Sequence, residues 1–209
     1  MRISVCTPSI RPLGLLPVQA SLERQSLKDF EWLVEIGFPA KHDLNAAFNR
    51  MLKRARGELI VFYEDYQKIE PDGLQRFWNA YKEDPNTFFT APVGKTLDWE
   101  NIEWDWRKHP DSTMHWQSWE IDWAAAPLEC LKVIGGFDEA MDGHWAGDNV
   151  NVALRAHMQQ YSFKLLRDNP AVVYDHNRII EHPFNKTFNP SFMNERYDAI
   201  RRGEEIKYL

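Results

Sequence analysis

The chain has 209 residues, 44% of them hydrophobic, which is enough apolar material for one domain with a substantial core. Its formal net charge of -6 argues against a protein that coats the nucleic-acid backbone. Two cysteines, Cys6 and Cys130, are too few for a disulfide framework and favour a reducing compartment. No apolar stretch approaches 18 residues and no signal-peptide pattern opens the chain, so the sequence predicts a cytoplasmic protein without an integral membrane segment.

Strand and helix patterns alternate along the first half of the chain. Each strand is a short run of β-branched and apolar residues, and each helix repeats apolar positions at three- and four-residue spacing. Asp43 is placed to cap the second helix. In chain order the predicted elements are a strand at 2–7, a helix at 15–25, a strand at 30–37, a helix at 43–56, a strand at 58–63 and a helix at 70–84.

This alternation predicts an α/β fold with a mostly parallel central sheet flanked by helices, because parallel neighbours are joined by helical crossovers. In open sheets of this kind, ligands bind beyond the carboxyl ends of the strands. The segments "TPSIRP" (7–12), "EIGF" (35–38) and "EDYQ" (64–67) follow the three strands and are therefore expected to meet in one crevice. The adjacent carboxylates of Glu64 and Asp65 would lie at its rim.

The second half of the chain is less regular. A long segment at 94–120 has no clean period, and its tryptophans argue against disorder, so it is interpreted as a functional loop. Asp148 is expected near the start of a helix. The other predicted elements are a strand at 87–93, a strand and short helix with a Gly-Gly turn within 121–141, a helix at 146–161, strands at 163–166 and 171–177, and an amphipathic helix at 194–202.

Three motifs in this order resemble those of the inverting nucleotide-sugar glycosyltransferases of family two, which have the GT-A fold. "ISVCTPSIRP" (3–12) is similar to the first-strand motif, a hydrophobic run that ends in Thr-Pro before an Arg-bearing turn. "FNRMLKRARGELIVFYED" (48–65) is similar to the middle motif, whose strand ends in a DXD-type acidic sequence. "IGGFDEAMDGHWAGDNVNVALRA" (134–156) is similar to the late motif with its acidic residues and arginine-bearing helix.

The resemblance implies a GT-A domain at 1–178, with a nucleotide-sugar half at about 1–93 and an acceptor half at about 94–178. Residues 179–209 would form a C-terminal extension that packs on this domain. The implied activity is the transfer of a sugar from a nucleotide-sugar donor to an acceptor hydroxyl with inversion. UDP is the expected nucleotide, on family frequency alone.

The resemblance also places the donor site at the strand ends. Two of its residues have another explanation: Glu35 as a solvated strand end, and Asn49 as a helix residue that satisfies a neighbouring backbone group. The implied donor-binding residues are Thr7, Pro8, Ser9, Arg11, Glu35, Asn49, Glu64, Asp65 and Tyr66.

A divalent metal, Mn²⁺ or Mg²⁺, is the implied cofactor, because carboxylate-bound cations neutralise the charge that grows on a diphosphate leaving group. The implied ligands are Asp65 and His176, the latter resembling an additional histidine ligand of some GT-A enzymes. Tyr66 stands where the family often has its final aspartate. This departure leaves the metal geometry open.

Inversion requires a general base that removes the proton of the acceptor hydroxyl. Asp148 occupies the position of the family's catalytic aspartate, although Gly147 replaces the usual preceding glutamate. A helix cap is the alternative role for Asp148. Asp138 and Glu139 are implied to bind acceptor hydroxyls, with an exposed turn as the alternative.

Six tryptophans fall in a short stretch between the two halves of the chain. Tryptophans stack on sugar faces and on flat bases, so Trp116 and Trp119 are predicted to line the acceptor site, whereas Trp123 is predicted to be a core residue. The six are Trp99, Trp104, Trp106, Trp116, Trp119 and Trp123.

A carbohydrate acceptor is the first expectation, and two other functions stay open. A phage-type glycosyltransferase would act on hydroxymethylated bases in DNA. A non-catalytic nucleotide-sugar or glycan-binding module would bind its ligand without turnover, a possibility raised by Tyr66 and Gly147.

Overall fold

A computed structural model describes residues 1–37, 43–104, 114–144, 147–174 and 189–209. Its strands are β1 (Ile3–Ser9), β2 (Phe30–Ile36), β3 (Leu59–Tyr63), β4 (Gln67–Ile69), β5 (Thr87–Thr90), β6 (Val93–Thr96), β7 (Glu103–Trp104), β8 (Trp123–Pro127), β9 (Ser162–Leu165) and β10 (Ala171–Tyr174). Its helices are α1 (Leu15–Glu23), α2 (Leu44–Arg54), α3 (Gly73–Glu83), α4 (Leu128–Val133), α5 (Asp148–Met158) and α6 (Pro190–Arg201), with 3₁₀ turns at Pro12–Gly14, Trp116–Ser118 and Glu139–Met141.

The main sheet of the described residues has six strands in the order β2-β1-β3-β8-β5-β9. Strands β2, β1 and β3 run parallel, as do β5 and β9, which confirms the predicted α/β class and most of the predicted parallel sheet. Strand β8 is the exception, because it pairs antiparallel with both β3 and β5. Because β5 ends at the carboxyl edge and β8 runs antiparallel to it, β8 starts from that edge and runs back.

A second sheet, in the order β4-β10-β6-β7, lies beyond this edge. Strand β4 was not predicted, because its three residues are too few to show an alternating pattern. The apolar run at 87–93 predicted one strand, but the chain leaves β5 at Thr90 and enters the second sheet as β6 at Val93. Pro92 stands in the short connection between them.

The core consists of one apolar cluster on each face of the main sheet. Alternate residues of a strand point to opposite faces, so Val61 of β3 belongs to the cluster with α1 and α3, while Phe62 belongs to the cluster with α2, α4 and α5. Both faces are covered, which explains why β1 and β3 read as continuous apolar runs. None of the described helices is both long and apolar enough to cross a bilayer.

The N-terminus of α2 is capped by a distant residue. Asp43 precedes the helix as predicted, but its side chain makes no cap bond among the described residues and instead accepts from Arg50 Nη2 at 3.4 Å. The carboxylate of Asp142 accepts hydrogen bonds from the main-chain N–H groups of Asn45, at 2.8 Å, and Ala46, at 3.1 Å. The predicted N-cap position of Asp43 is therefore confirmed, but a carboxylate from the second half of the chain binds these amide groups.

Candidate functional site

Two of the three predicted strand ends of the donor site, those of β1 and β3, meet around Asp65, which follows β3. Its side chain is 7% exposed, and its Oδ2 atom accepts a hydrogen bond of 2.7 Å from the hydroxyl of Ser9 at the end of β1. Arg11 Nη2 lies 3.6 Å from Asp65 Oδ1, which makes an ion pair. Parallel pairing of β1 with β3 explains the proximity, because both strands end at the same edge.

Tyr66 forms one wall of this cluster. It has a left-handed φ of 59°, an uncommon conformation for a non-glycine residue. Its main-chain N–H donates to Gly14 O at 2.8 Å, and its carbonyl accepts from the N–H of Tyr174 at 2.9 Å. The Arg11 guanidinium lies 5.5 Å from the centroid of its ring, within the range of a cation–π contact.

Gly14 allows the Tyr66 ring to lie close to the backbone after β1, and it was not predicted as a site residue. A Cβ atom at Gly14 would lie 2.4 Å from the Tyr66 ring and 3.0 Å from Asp65 Cβ. Only a residue without a side chain fits here without displacing the ring. The sequence signal was a glycine at the end of "RPLG", which alone is typical of many ordinary turns.

The cluster has unused hydrogen-bond capacity for an anion. Arg11 Nε and Nη1 are buried and have no hydrogen-bond partner within the described residues. A buried donor without a partner costs free energy, and a guanidinium presents a planar fork that matches phosphate oxygens. An anionic ligand beside Tyr66 would supply the missing acceptors.

Among the described residues of this cluster, Asp65 is the carboxylate that would hold a divalent metal. Mg²⁺ is commonly bound by one or two carboxylates together with substrate phosphates and water, so a lone aspartate suits that kind of site. No group of three or more His, Cys, Asp or Glu residues that could hold a metal occurs in the part of the chain that the structure describes. His176, the second predicted ligand, lies outside the described residues.

Other predicted donor residues near the strand ends have partners within the protein. Thr7 is fully buried, and its hydroxyl accepts from Trp32 Nε1 at 3.0 Å. Glu35 accepts from Arg50 Nε at 3.1 Å and from Arg54 Nη2 at 2.6 Å, so it pairs with α2 rather than standing as a solvated strand end. Pro8 is partly exposed and Glu64 is exposed.

Asn49 joins α2 to the Gly-Gly turn. Its Nδ2 donates to Phe137 O and to Glu139 Oε1, each at 2.9 Å, and its Oδ1 accepts from the N–H of Phe137 at 2.8 Å. These bonds match the alternative that Asn49 satisfies a neighbouring backbone group. We therefore leave Asn49 out of the proposed donor site.

The predicted base, Asp148, is the first residue of α5 and is 9% exposed. Its Oδ1 accepts a hydrogen bond of 3.0 Å from Asn45 Nδ2. The α6 helix lies beside it: Tyr197 donates its hydroxyl to Gly147 O at 3.2 Å. Burial, together with the charge of Asp148, raises the pKa of Tyr197 to about 12, so this hydroxyl stays protonated and able to donate.

The two predicted acceptor carboxylates are engaged elsewhere. Asp138 is 1% exposed, and its Oδ2 pairs with Arg196 Nη2 of α6 at 2.7 Å. Its Oδ1 accepts from the N–H of Ala140 at 3.1 Å. Glu139 is partly exposed and accepts from Asn49. Asp138 therefore binds α6 through Arg196, and its side chain is too buried to contact an acceptor.

The tryptophans separate into core and surface residues. Trp119 is fully buried with its Nε1 donating to Phe89 O at 2.9 Å, so it has no face to present to an acceptor. Trp123 is fully buried, as predicted. Trp116 is partly exposed and stacks on His157 with centroids 5.3 Å apart, while Trp99 stacks on Tyr174 at 5.8 Å. Trp106 lies outside the described residues.

Gly147 offers a test of how closely α6 covers the start of α5. Gly147 has a φ of 93°, and a Cβ atom there would lie 2.5 Å from the Tyr197 hydroxyl; Gly143 has a φ of 84° and open space. Gly143→Ala and Gly147→Ala both strain the backbone. Gly147→Ala is expected to lower the free energy of unfolding by about 1–3 kcal/mol more, because its methyl group would also clash with Tyr197. Chemical denaturation measures the difference. Equal losses would show that α6 does not pack here, and Tyr197→Phe should partly relieve the Gly147→Ala defect.

The strand order of the main sheet, the acidic residues after β3 and the small second sheet beside them define a GT-A-type fold, as the motifs predicted. The structure is similar to that of Staphylococcus aureus TarS, a GT-A-type glycosyltransferase, although no family model and no curated protein matches the sequence significantly. The TarS 1–349 complex with UDP-GlcNAc has a TM-score of 0.70 at 14% identity, over 94% of this chain and 64% of that one. The complex with UDP has a TM-score of 0.64 at 11% identity, over 97% of this chain and 71% of that one.

Proposed function

We propose that the protein is a glycosyltransferase that moves a sugar from a nucleotide-sugar donor, expected to be a UDP-sugar, to an acceptor hydroxyl with inversion. The observation that carries this proposal is the cluster of Ser9, Arg11 and Asp65 at the carboxyl ends of β1 and β3. It combines a guanidinium with unused donors and a carboxylate, the two chemistries that a diphosphate and its counter-cation require. The structures similar in fold hold UDP-GlcNAc and UDP, which supports the same donor class.

In this proposal the donor's diphosphate lies against Arg11, which exchanges part of its pairing with Asp65 for phosphate oxygens. Asp65 is then available to a divalent cation, Mn²⁺ or Mg²⁺. The bound cation supplies positive charge that stabilises the departing nucleoside diphosphate. Tyr66 fixes the guanidinium from its ring face, and Ser9 orients the Asp65 carboxylate through its 2.7 Å hydrogen bond.

Asp148 is the proposed general base. A carboxylate at the start of α5 accepts the acceptor's proton as the hydroxyl oxygen attacks the anomeric carbon from the face opposite the leaving group. Its 9% exposure keeps bulk water away from the reacting groups, which strengthens their electrostatic interactions. The acceptor is proposed to be a carbohydrate that stacks on a partly exposed aromatic side chain, with Trp116 the candidate retained from the sequence.

Ligand-induced thermal stabilisation tests the donor site directly. A ligand at one hundred times its Kd stabilises the folded state by about 2.7 kcal/mol, which raises the melting temperature. UDP and UDP-GlcNAc are expected to raise it in the presence of Mn²⁺ or Mg²⁺, and less so with a chelator. Uridine, which lacks the diphosphate, is the matched ligand control and should give little shift. No shift with any nucleoside diphosphate would overturn the proposed function.

A further inference from the structure

Asn45 connects two carboxylates, one of which belongs to the proposed base Asp148. It lies in the first turn of α2 and is 1% exposed. Its Nδ2 donates one hydrogen bond to Asp142 Oδ1 and another to Asp148 Oδ1, each 3.0 Å long. Since both oxygens lie 3.0 Å from the same nitrogen, they are separated by at most twice that distance. An amide NH₂ group has two protons, so these bonds use its full donor capacity.

The orientation of this amide is fixed by the two carboxylates. Asn45 Oδ1 is buried and has no hydrogen-bond partner within the described residues. An unsatisfied buried oxygen is unfavourable, yet the reversed amide would place that oxygen against two carboxylates and lose both bonds. The NH₂ contact with Asp142 and Asp148 therefore outweighs the unsatisfied oxygen.

Asp142 anchors this arrangement to the helix. Besides the side-chain bond, it accepts hydrogen bonds from the main-chain N–H groups of Asn45 and Ala46. These N–H groups are in the first turn of α2 and have no carbonyl partner within the helix. The positive end of the helix dipole favours a carboxylate there. Asp142, Asn45 and Asp148 thus form a continuous chain of hydrogen bonds from α2 to the start of α5.

We propose that Asn45 is a positioning residue for the base Asp148, which it holds through the Nδ2 bond while Asp142 holds Asn45 in place. This inference rests on the proposed function for its catalytic meaning. A donor beside Asp148 stabilises the ionised carboxylate that a base needs, and it fixes one oxygen so that the carboxylate does not rotate freely. Neither Asn45 nor Asp142 was among the residues predicted from the sequence.

Asp142 and Tyr197 are ionisable groups close to Asp148. Asp142 disfavours a second negative charge nearby, and burial already raises the pKa of Asp142 above its ordinary value despite its bonds from Asn45 and Ala46. The charge of Asp148 raises the pKa of Tyr197 of α6, and the charge of Arg201 lowers it. The Asn45 amide adds an uncharged hydrogen-bond donor to Asp148.

The test is the carboxyl titration of Asp148, followed by ¹³C NMR in the whole protein and assigned with Asp148→Asn. Asn45→Leu replaces the amide donor with an apolar side chain of similar size, so the apparent pKa of Asp148 is expected to rise by about one unit. Asp142→Asn removes the neighbouring negative charge but leaves Asn45, so the same pKa is expected to fall. An unchanged Asp148 titration in Asn45→Leu would overturn the proposal. Asn45→Ala gives the same test if the leucine variant does not fold.

A second readout separates this role from the proposed function. With UDP-GlcNAc as donor and water as acceptor, Asn45→Leu should lower kcat by roughly tenfold, because the Asp148 carboxylate is no longer held in its productive orientation, while KM for the donor stays unchanged. A rise in KM at constant kcat would contradict a positioning role for the base. If the wild-type protein neither binds UDP nor releases it from UDP-GlcNAc, the proposed function fails, and the NMR titration still decides whether Asn45 holds Asp148.

Discussion

Asp148→Asn is expected to lower the rate of sugar transfer by about 10²–10⁴-fold, the usual contribution of a general base. The amide has nearly the same shape as the carboxylate but does not accept a proton at neutral pH. Donor binding should be retained, because Asp148 follows the Gly-Gly turn and is not part of the Ser9, Arg11 and Asp65 cluster that is proposed to hold the diphosphate. The measurements are initial rates of UDP release from UDP-GlcNAc and thermal shifts with UDP.

The competing explanation is that Asp148 only stabilises the start of α5. Loss of a helix-capping residue costs about 0.5–2 kcal/mol of stability and leaves chemistry intact. Asp72→Asn is a matched control, because Asp72 is the residue that precedes α3 and carries the same charge at a helix start. Unchanged turnover in Asp148→Asn, with a stability loss like that of Asp72→Asn, would show that Asp148 is a cap and not a base.

Asp65→Asn is expected to remove the metal dependence of nucleotide binding. In the wild-type protein, UDP should stabilise the fold more with Mn²⁺ than with a chelator, because the cation bridges the carboxylate and the phosphates. The variant keeps the shape of the side chain and loses the negative charge, so the two melting-temperature shifts should become equal. UDP binding without metal should persist, since Arg11 no longer pairs with a carboxylate and is available to phosphate.

The unliganded Asp65→Asn protein is also expected to be less stable by about 1–3 kcal/mol, because the partly buried Arg11 guanidinium loses its counter-charge. Asp84→Asn is a suitable control: Asp84 is exposed and lies ahead of β5, at the opposite edge of the sheet. A metal-dependent shift that survives in Asp65→Asn would place the metal ligand elsewhere in the chain.

The packing of α6 accounts for the glycine at position 147. In the glycosyltransferases that the late motif resembles, a glutamate is usual before the catalytic aspartate. Here the position is Gly147, with a left-handed φ and the Tyr197 hydroxyl where a side chain would begin. Arg196 of the same helix pairs with Asp138. The packing of α6 over the start of α5 therefore explains why this position is a glycine. The glycine does not imply that activity has been lost.

Hydrophobic periodicity was sufficient to predict most elements of the main sheet. β1, β2, β3, α2 and α5 lie within a few residues of their predicted bounds, because their apolar patterns are long enough to show a period. The crevice at the carboxyl ends followed from the parallel arrangement, and the meeting of Ser9, Arg11 and Asp65 agrees with it. Local pattern failed at β4 and β7, which have three and two residues, too few to show a period. β4 pairs with β10, which is distant in the chain, and β7 pairs with β6.

By itself, the sequence determined the α/β class, the order of the main elements and the position of the acidic residues after β3, since these depend on periodicity and on the polarity of strand ends. The tertiary structure decided which polar side chains form hydrogen bonds and ion pairs within the protein. Glu35 pairs with α2, Asn49 joins α2 to the Gly-Gly turn, and Asp142 caps α2 from 97 residues away. Hydrogen-bond partners distant in the chain leave no local signal, because they are selected by packing that brings the two halves together.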